Sequence, residues 1–201
     1  METVTNYIAL LQQTIDQLPT EKIANVIDLL HSARFSGRQI FIMGNGGSAS
    51  TASHFVCDLS KNTRHEGWPR YKVIGLSDNM AVFSAYANDE GYENVFCEQL
   101  ANLLLPDDIV IAISASGNSR NVVSAIQYAK SQNAFTIGFT GFDGGILGKI
   151  VDIDLHINSS IIEHVEDLHL ALEHMIIKSL KERAQAEAVA QILFDDVQPT
   201  Q

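Results

Sequence analysis

Five short apolar runs, separated by stretches of helical spacing, constrain this chain more than any other feature. They are Ile40–Met43, Tyr71–Leu76, Asp108–Ala112, Ala134–Thr140 and Ile153–Ile157. Two of them, around Ile40-Phe41-Ile42-Met43 and Ile109-Val110-Ile111-Ala112-Ile113, read as buried parallel strands. Helical stretches lie between the runs at Ser48–Leu59, Met80–Ala87, Glu93–Leu104 and Ser119–Ser131, and a long one follows from Glu163 to Ala190. Strands alternating with helices predict an α/β fold with a doubly wound, five-stranded parallel sheet of flavodoxin-like type. Ligands of such sheets bind at the carboxyl ends of the strands.

Two helices precede the first strand. Val4, Ile8, Leu11, Ile15 and Leu18 keep a helical period up to Pro19, and Thr20 is a good cap for a second helix over Ile23, Val26, Ile27 and Leu30, ending near Gly37. Neither has an obvious place in a single sheet layer, so residues 1–36 are expected to form an arm that packs on a partner subunit. Residues 37–190 are expected to be the α/β core and residues 191–201 a frayed tail, within one domain of 201 residues.

Lys and Arg number 13 against 24 Asp and Glu, a net charge of −11. That balance argues against a nucleic-acid partner, which needs a basic face. Solubility alone accounts for the acidity, but it also means that any anionic ligand must be held by local dipoles and hydroxyls. No apolar run approaches the roughly 20 residues of a membrane span, and the polar, acidic start does not resemble a signal peptide. Cys57 and Cys97, with no CxxC, read as reduced thiols of a cytoplasmic protein.

The first apolar run continues into Gly44-Asn45-Gly46-Gly47-Ser48, the third into Ser114-Ala115-Ser116-Gly117-Asn118-Ser119. A strand feeding a helix through such a loop gathers free N–H groups, a positive helix end and short hydroxyls at one point. Two of these cradles predict a phosphorylated ligand gripped from more than one loop. Gly44-x-Gly46-x-x-Ala49, with Asp78 beyond the second strand, also fits a dinucleotide fingerprint, but that reading leaves the second loop and His54 unexplained. No Gly-Lys-Ser/Thr follows, which excludes a Walker loop.

His54 and Asp58 are four apart and share a helix face. The spacing suits two ligands of one metal, an acid–base pair or a surface ion pair. The last helix carries Glu163, Glu166, Asp167, His169, Glu173 and His174 beside an apolar stripe of Leu168, Leu172, Met175, Ile176 and Leu180. Glu163 and His174, about three turns apart, are expected to face the same way.

Asn45-Gly46-Gly47-Ser48, His54-Phe55, Asn88-Asp89, Ser116-Gly117-Asn118-Ser119, Thr140-Gly141, Asp143-Gly144-Gly145 and the final Glu/His helix follow one another in this order. Together they resemble the sugar isomerase (SIS) domain, and within it the phosphoheptose isomerases, over nearly the whole chain. The resemblance implies a cytoplasmic homotetramer that interconverts sedoheptulose 7-phosphate and D-glycero-D-manno-heptose 7-phosphate, feeding heptose synthesis for surface polysaccharides, with one Zn2+ per subunit. It implies Asp58 as the catalytic base, where the family has glutamate, and His174 as the catalytic acid. It also implies His54, Asp58, Glu166 and His174 as metal ligands, Glu166 standing where the family has glutamine. Substrate contacts would fall on Asn45, Gly46, Gly47, Ser48, Asp89, Ser114, Ser116, Ser119 and Glu166.

This chain departs from the family at several points. Asp58 is a methylene shorter than glutamate, Ser114-Ala115-Ser116 replaces Ser-Thr-Ser, and Leu59-Ser60-Lys61-Asn62 replaces a stretch ending in arginine. Glu166 and His174 are eight apart, about 12 Å along a straight helix, too far to share one ion. Either the helix is irregular near Glu166 or the site is shared between subunits, and the second is the expectation. The changed loops also suit an alternative class, a non-catalytic SIS protein that binds a phosphosugar or a partner such as the replication initiator. The retained His54, Asp58 and His174 favour the isomerase.

Overall fold

The computed structural model describes the backbone of residues 1–197 and the side chains of residue 1 and residues 3–188. Along the chain the elements are α1 (Glu2–Ile15), α2 (Thr20–Ser36), β1 (Gln39–Gly44), α3 (Gly47–Cys57), a π-helical turn (Asp58–Asn62), β2 (Lys72–Gly75) and α4 (Met80–Asp89). They continue with a 3-10 turn (Tyr92–Asn94), α5 (Val95–Leu103), β3 (Ile109–Ser114), α6 (Arg120–Ser131), β4 (Phe135–Thr140), α7 (Leu147–Ile150), β5 (Ile153–His156) and α8 (Ile162–Val197).

All five strands pair in parallel, in the order β2-β1-β3-β4-β5. Period-two alternation sends the side chains of β1 and β3 into two separate cores. Ile40, Ile42, Ile109, Ile111 and Ile113 join the core that includes residues of α2, α3 and α8. Phe41, Met43, Val110 and Ala112 join the core of α5 and α6 on the other face. Each of the larger side chains among these, fully removed from water, contributes roughly 1.5–3 kcal/mol. This double coverage is why β1 and β3 are apolar throughout. The chain order reverses between β1 and β3, so the loops after these two strands flank the crevice where doubly wound sheets bind ligands.

The N-terminal arm differs from expectation. Ile23, Val26, Leu30 and Ala33 of α2 are buried in the main core, and Asp28 pairs with Arg183 of α8. α2 therefore packs one face into the core of its own chain. α1 is held more lightly: the Tyr7 hydroxyl donates to Asp167, Thr14 is buried, and Val4, Ile8, Leu10 and Ile15 are exposed.

Three local differences bear on the site. The helix expected to reach Leu59 ends at Cys57 and widens into the π turn that carries Asp58. β3 extends to Ser114, which is thus a buried strand residue. α8 is continuous from Ile162 to Val197, past the expected boundary at residue 190 and without an irregularity at Glu166. Residues 198–201, the end of the expected tail, lie outside the described residues.

Candidate functional site

The first loop leaves β1 with Gly46 at φ 55°, a left-handed conformation that favours glycine, and α3 starts at the next residue. The amides of Ala49 and Ser50 are satisfied by the Gly46 carbonyl, and Ser48 is buried at the helix start. Asn45 is clamped. Its amide exchanges two 2.9 Å hydrogen bonds with the Asn121 side chain, and its oxygen accepts a third from the Tyr92 hydroxyl at 2.8 Å. Asn121, itself buried, lies in the first turn of α6, so this pair ties the two loops together. Beside Asn45 a cavity of about 300 Å³ is lined by Ser77, Met80, Phe83 and Tyr92.

In the second loop the Ser114 hydroxyl donates to Ser119 at 3.3 Å, and the Ser116 hydroxyl accepts the Asn118 N–H at 3.2 Å. Ser119 stands at the N-cap position of α6 without a side-chain capping bond, and the Val122 N–H is taken by the Asn121 side chain. The Arg120 and Asn121 amides have no protein acceptor among the described residues. Free N–H groups, a helix start and three hydroxyls together make an anion cradle. Asp89 is exposed at the end of α4, its carboxylate accepting from Asn88. A larger cavity, of about 470 Å³, lies between α1 and the segment joining β5 to α8, and holds none of the expected site residues.

At the far end of α3 a second cluster forms. His54, Asp58, Glu173 and His174 bring one donor atom each to within 4.8 Å of one another. The Nε2 atoms of His54 and His174 are 3.3 Å apart, His54 Nε2 is 3.8 Å from Asp58, and His174 Nε2 is 3.3 Å from Glu173. The Asp58 side chain is 12% exposed and accepts a 2.6 Å hydrogen bond from Asn62 across the π turn. The Glu173 side chain is fully buried and the His174 side chain 52% exposed. Among the described residues, neither Glu173 oxygen has a hydrogen-bond partner. Burial first, and the Asp58 charge second, push the Glu173 carboxyl up to about 7.

Three of the four expected ligands therefore meet, and the fourth does not. Glu166 projects toward the first loop: a Cβ placed on Gly47 would lie 2.9 Å from its Oε1. Glu163 is likewise outside the cluster and sits near Tyr7. The acid that joins is Glu173, which the spacing of the chain had placed on a polar face. Its position follows His169 by four residues and precedes Ile177 by four, and both are buried, so it falls on the packed face of α8. An acid in phase with a buried stripe is the signal that identifies it. Met175, expected on that stripe, is partly exposed instead.

Two imidazoles and two carboxylates are a donor set suited to a divalent transition-metal ion. The unpartnered Glu173 oxygens fit such an ion, because a buried carboxylate left without donors is otherwise costly.

The SIS domain profile matches residues 4–141. A "Probable phosphoheptose isomerase" of Thermoplasma acidophilum is 39% identical over 83% of this chain and 91% of that protein. A phosphoheptose isomerase of Geotalea daltonii is 36% identical over 87% of this chain and 91% of its own length. The solved phosphoheptose isomerase of Francisella tularensis superposes with a TM-score of 0.83 at 28% identity, covering 90% of this chain and 97% of that one. Fold, loops and relatives agree that this chain belongs to the phosphoheptose isomerase family of SIS-domain proteins.

Proposed function

We propose that this protein is an aldose–ketose isomerase that interconverts sedoheptulose 7-phosphate and D-glycero-D-manno-heptose 7-phosphate through an enediol. The observation that carries the reading is the convergence of a carboxylate and two imidazoles at one end of α3 while an anion cradle stands at the switch point. The family relatives supply the substrate class.

In this reading the phosphate rests on Ser114, Ser116 and Ser119, and Asn45 with Ser48 orients the sugar. Gly46 and Gly47 let the chain approach closely, Glu166 addresses sugar hydroxyls beside Gly47, and Asp89 closes the site from α4. Asp58 takes the proton from carbon. His174, half open to solvent, holds or delivers the proton at oxygen. In a metal-bound form, His54, Asp58 and His174 would hold Zn2+, which would instead supply polarisation of the carbonyl and hydroxyl oxygens. Asn62 keeps Asp58 in one orientation, a service that the π turn provides by bringing the two side chains together.

The enzyme works as a cytoplasmic homotetramer with sites at subunit boundaries. The exposed apolar residues of α1 support assembly through that helix. No helix is long and apolar enough to cross a membrane among the described residues. Turnover of sedoheptulose 7-phosphate with and without added zinc tests the reading. Product is expected, increased by zinc; none under either condition, nor with other phosphorylated ketoses, sinks it.

A further inference from the structure

The cavity of about 470 Å³ between α1 and the segment joining β5 to α8 is used by no step of the proposed reaction. We infer that it binds a small, neutral, polyhydroxylated molecule of monosaccharide size, at a site apart from the anion cradle. The inference does not depend on which sugar phosphate the enzyme turns over, or on whether it turns one over. Small-molecule sites commonly enclose about 300–1,000 Å³, so the room is sufficient.

The chemistry of the wall selects the class of ligand. The carboxamides of Gln13, Gln17 and Asn158 and the hydroxyls of Ser159 and Ser160 line the cavity. A carboxamide offers both donors and an acceptor, as a sugar hydroxyl does. Asn158 Nδ2 donates to Gln17 Oε1 at 2.8 Å, which ties α1 to the segment and uses neither Asn158 Oδ1 nor Gln17 Nε2. Leu10, Phe142 and Ile161 add apolar surface, on which the C–H face of a sugar ring can rest.

The same wall disfavours a phosphate. Among the described residues no lysine or arginine lines the cavity. α8 begins here, and the first-turn amides of Glu163 and His164 have no backbone acceptor among the described residues. An anion would be drawn to a bare helix start, but Glu163 itself and Asp167, one turn on, place negative charge beside it. A neutral hydroxyl accepts from those amides without that repulsion.

His164 carries the argument furthest. It belongs to the cavity lining, is fully buried, and has no hydrogen-bond partner at either ring nitrogen among the described residues. An imidazole carries at least one N–H, and burying it unpaired is costly. Packing alone would be served by a phenyl ring. Tyr7 stands edge-on to the imidazole, with ring centroids 4.2 Å apart, and its hydroxyl is held by Asp167. α1 is the lightly held wall of the cavity, so a small shift of Tyr7 admits a ligand hydroxyl to His164 and supplies the partner that the fold withholds.

The test is saturation-transfer NMR on the full chain with D-mannose and with mannitol, each in the absence and presence of saturating inorganic phosphate. At least one of the two probes is expected to bind in the millimolar range, and phosphate should not displace it. His164→Phe should weaken that binding by about 10-fold, the worth of one hydrogen bond. Asn158→Leu, a change at an exposed position, should weaken it to a similar degree. Ser116→Ala and His174→Ala, in the proposed active site, should bind the probe as wild type does. No binding of either probe, displacement by phosphate, unchanged binding in either cavity variant, or loss of binding in either active-site variant overturns the inference. Should His164→Phe fail to fold, Asn158→Leu decides. The readout is binding of an unphosphorylated probe, so an inactive enzyme that binds it in this cavity would refute the isomerase reading and leave this one standing.

Discussion

The switch-point loops and the cluster at the far end of α3 answer the same problem, polar groups held in a fold, in opposite ways. The side chains of the loops satisfy one another. Asn45, Asn121 and Tyr92 bond to one another, Ser114 to Ser119, and Ser116 to Asn118. The cluster does not, since Glu173 is buried without a donor and two imidazole nitrogens face each other at 3.3 Å. Satisfied networks make a rigid cradle that needs no ligand to keep its shape. Unsatisfied charged groups mark the place where the fold gives up stability and a ligand can return it.

That contrast is broken most severely at His174 and Asp58. His174→Ala should lower turnover by roughly 10²–10⁴-fold, the usual worth of a positioned acid or base. Its fold should survive, because the side chain is half exposed and packs no core. Asp58→Asn should be at least as damaging, whereas Asp58→Glu, restoring the family residue, should retain activity or raise it. Steady-state kinetics with circular dichroism on the same samples separates these outcomes; wild-type turnover in His174→Ala would remove the mechanism.

His169 belongs to both kinds of region and sharpens the comparison. Its Nε2 donates to the Thr140 carbonyl at 3.2 Å, while its buried Nδ1 has no partner among the described residues. Burial lowers its pKa from 6.5 to about 4. Above pH 6.5 the ring is neutral folded or unfolded and contributes nothing to the pH dependence of stability. As pH falls from 6.5 toward 4, the unfolded chain takes up a proton that the folded chain refuses. Stability should fall by roughly 3 kcal/mol over that window on account of this group. Denaturant unfolding of wild type and His169→Gln at several pH values checks it. The variant keeps a donor for Thr140 and should show a shallower loss; parallel curves would contradict the assignment.

The smallest effect is expected in the cradle. Asn121→Ala should cost about 1–3 kcal/mol of stability, because the Val122 amide and the Asn45 side chain each lose a buried partner. It should raise KM more than it lowers kcat, since Asn45 is loosened and the proton-transfer groups are untouched. A fall in kcat with KM unchanged would place the cradle in the chemistry instead of in binding.

Much of this architecture is readable along the chain. β1 and β3 announce themselves because both faces are buried, and each cradle is contiguous with its strand, so one stretch of sequence holds the whole device. His54 and Asp58 are legible for the same reason, being one helical turn apart. Glu173 is not, because its burial depends on α3 and the π turn, more than a hundred residues earlier in the chain. Family spacing pointed to Glu166, which an unbroken α8 keeps away from His174. The role of α2 was hidden similarly: its apolar period is plain, but that it packs on α8 and the sheet is a long-range fact.

The most direct test of the central claim is turnover of sedoheptulose 7-phosphate by the zinc-supplemented protein in D2O, read by NMR of the product. Proton transfer through an enediol predicts D-glycero-D-manno-heptose 7-phosphate carrying deuterium at C2, with both product and label lost in His174→Ala. No product from the wild type, or undiminished product from His174→Ala, would contradict the account.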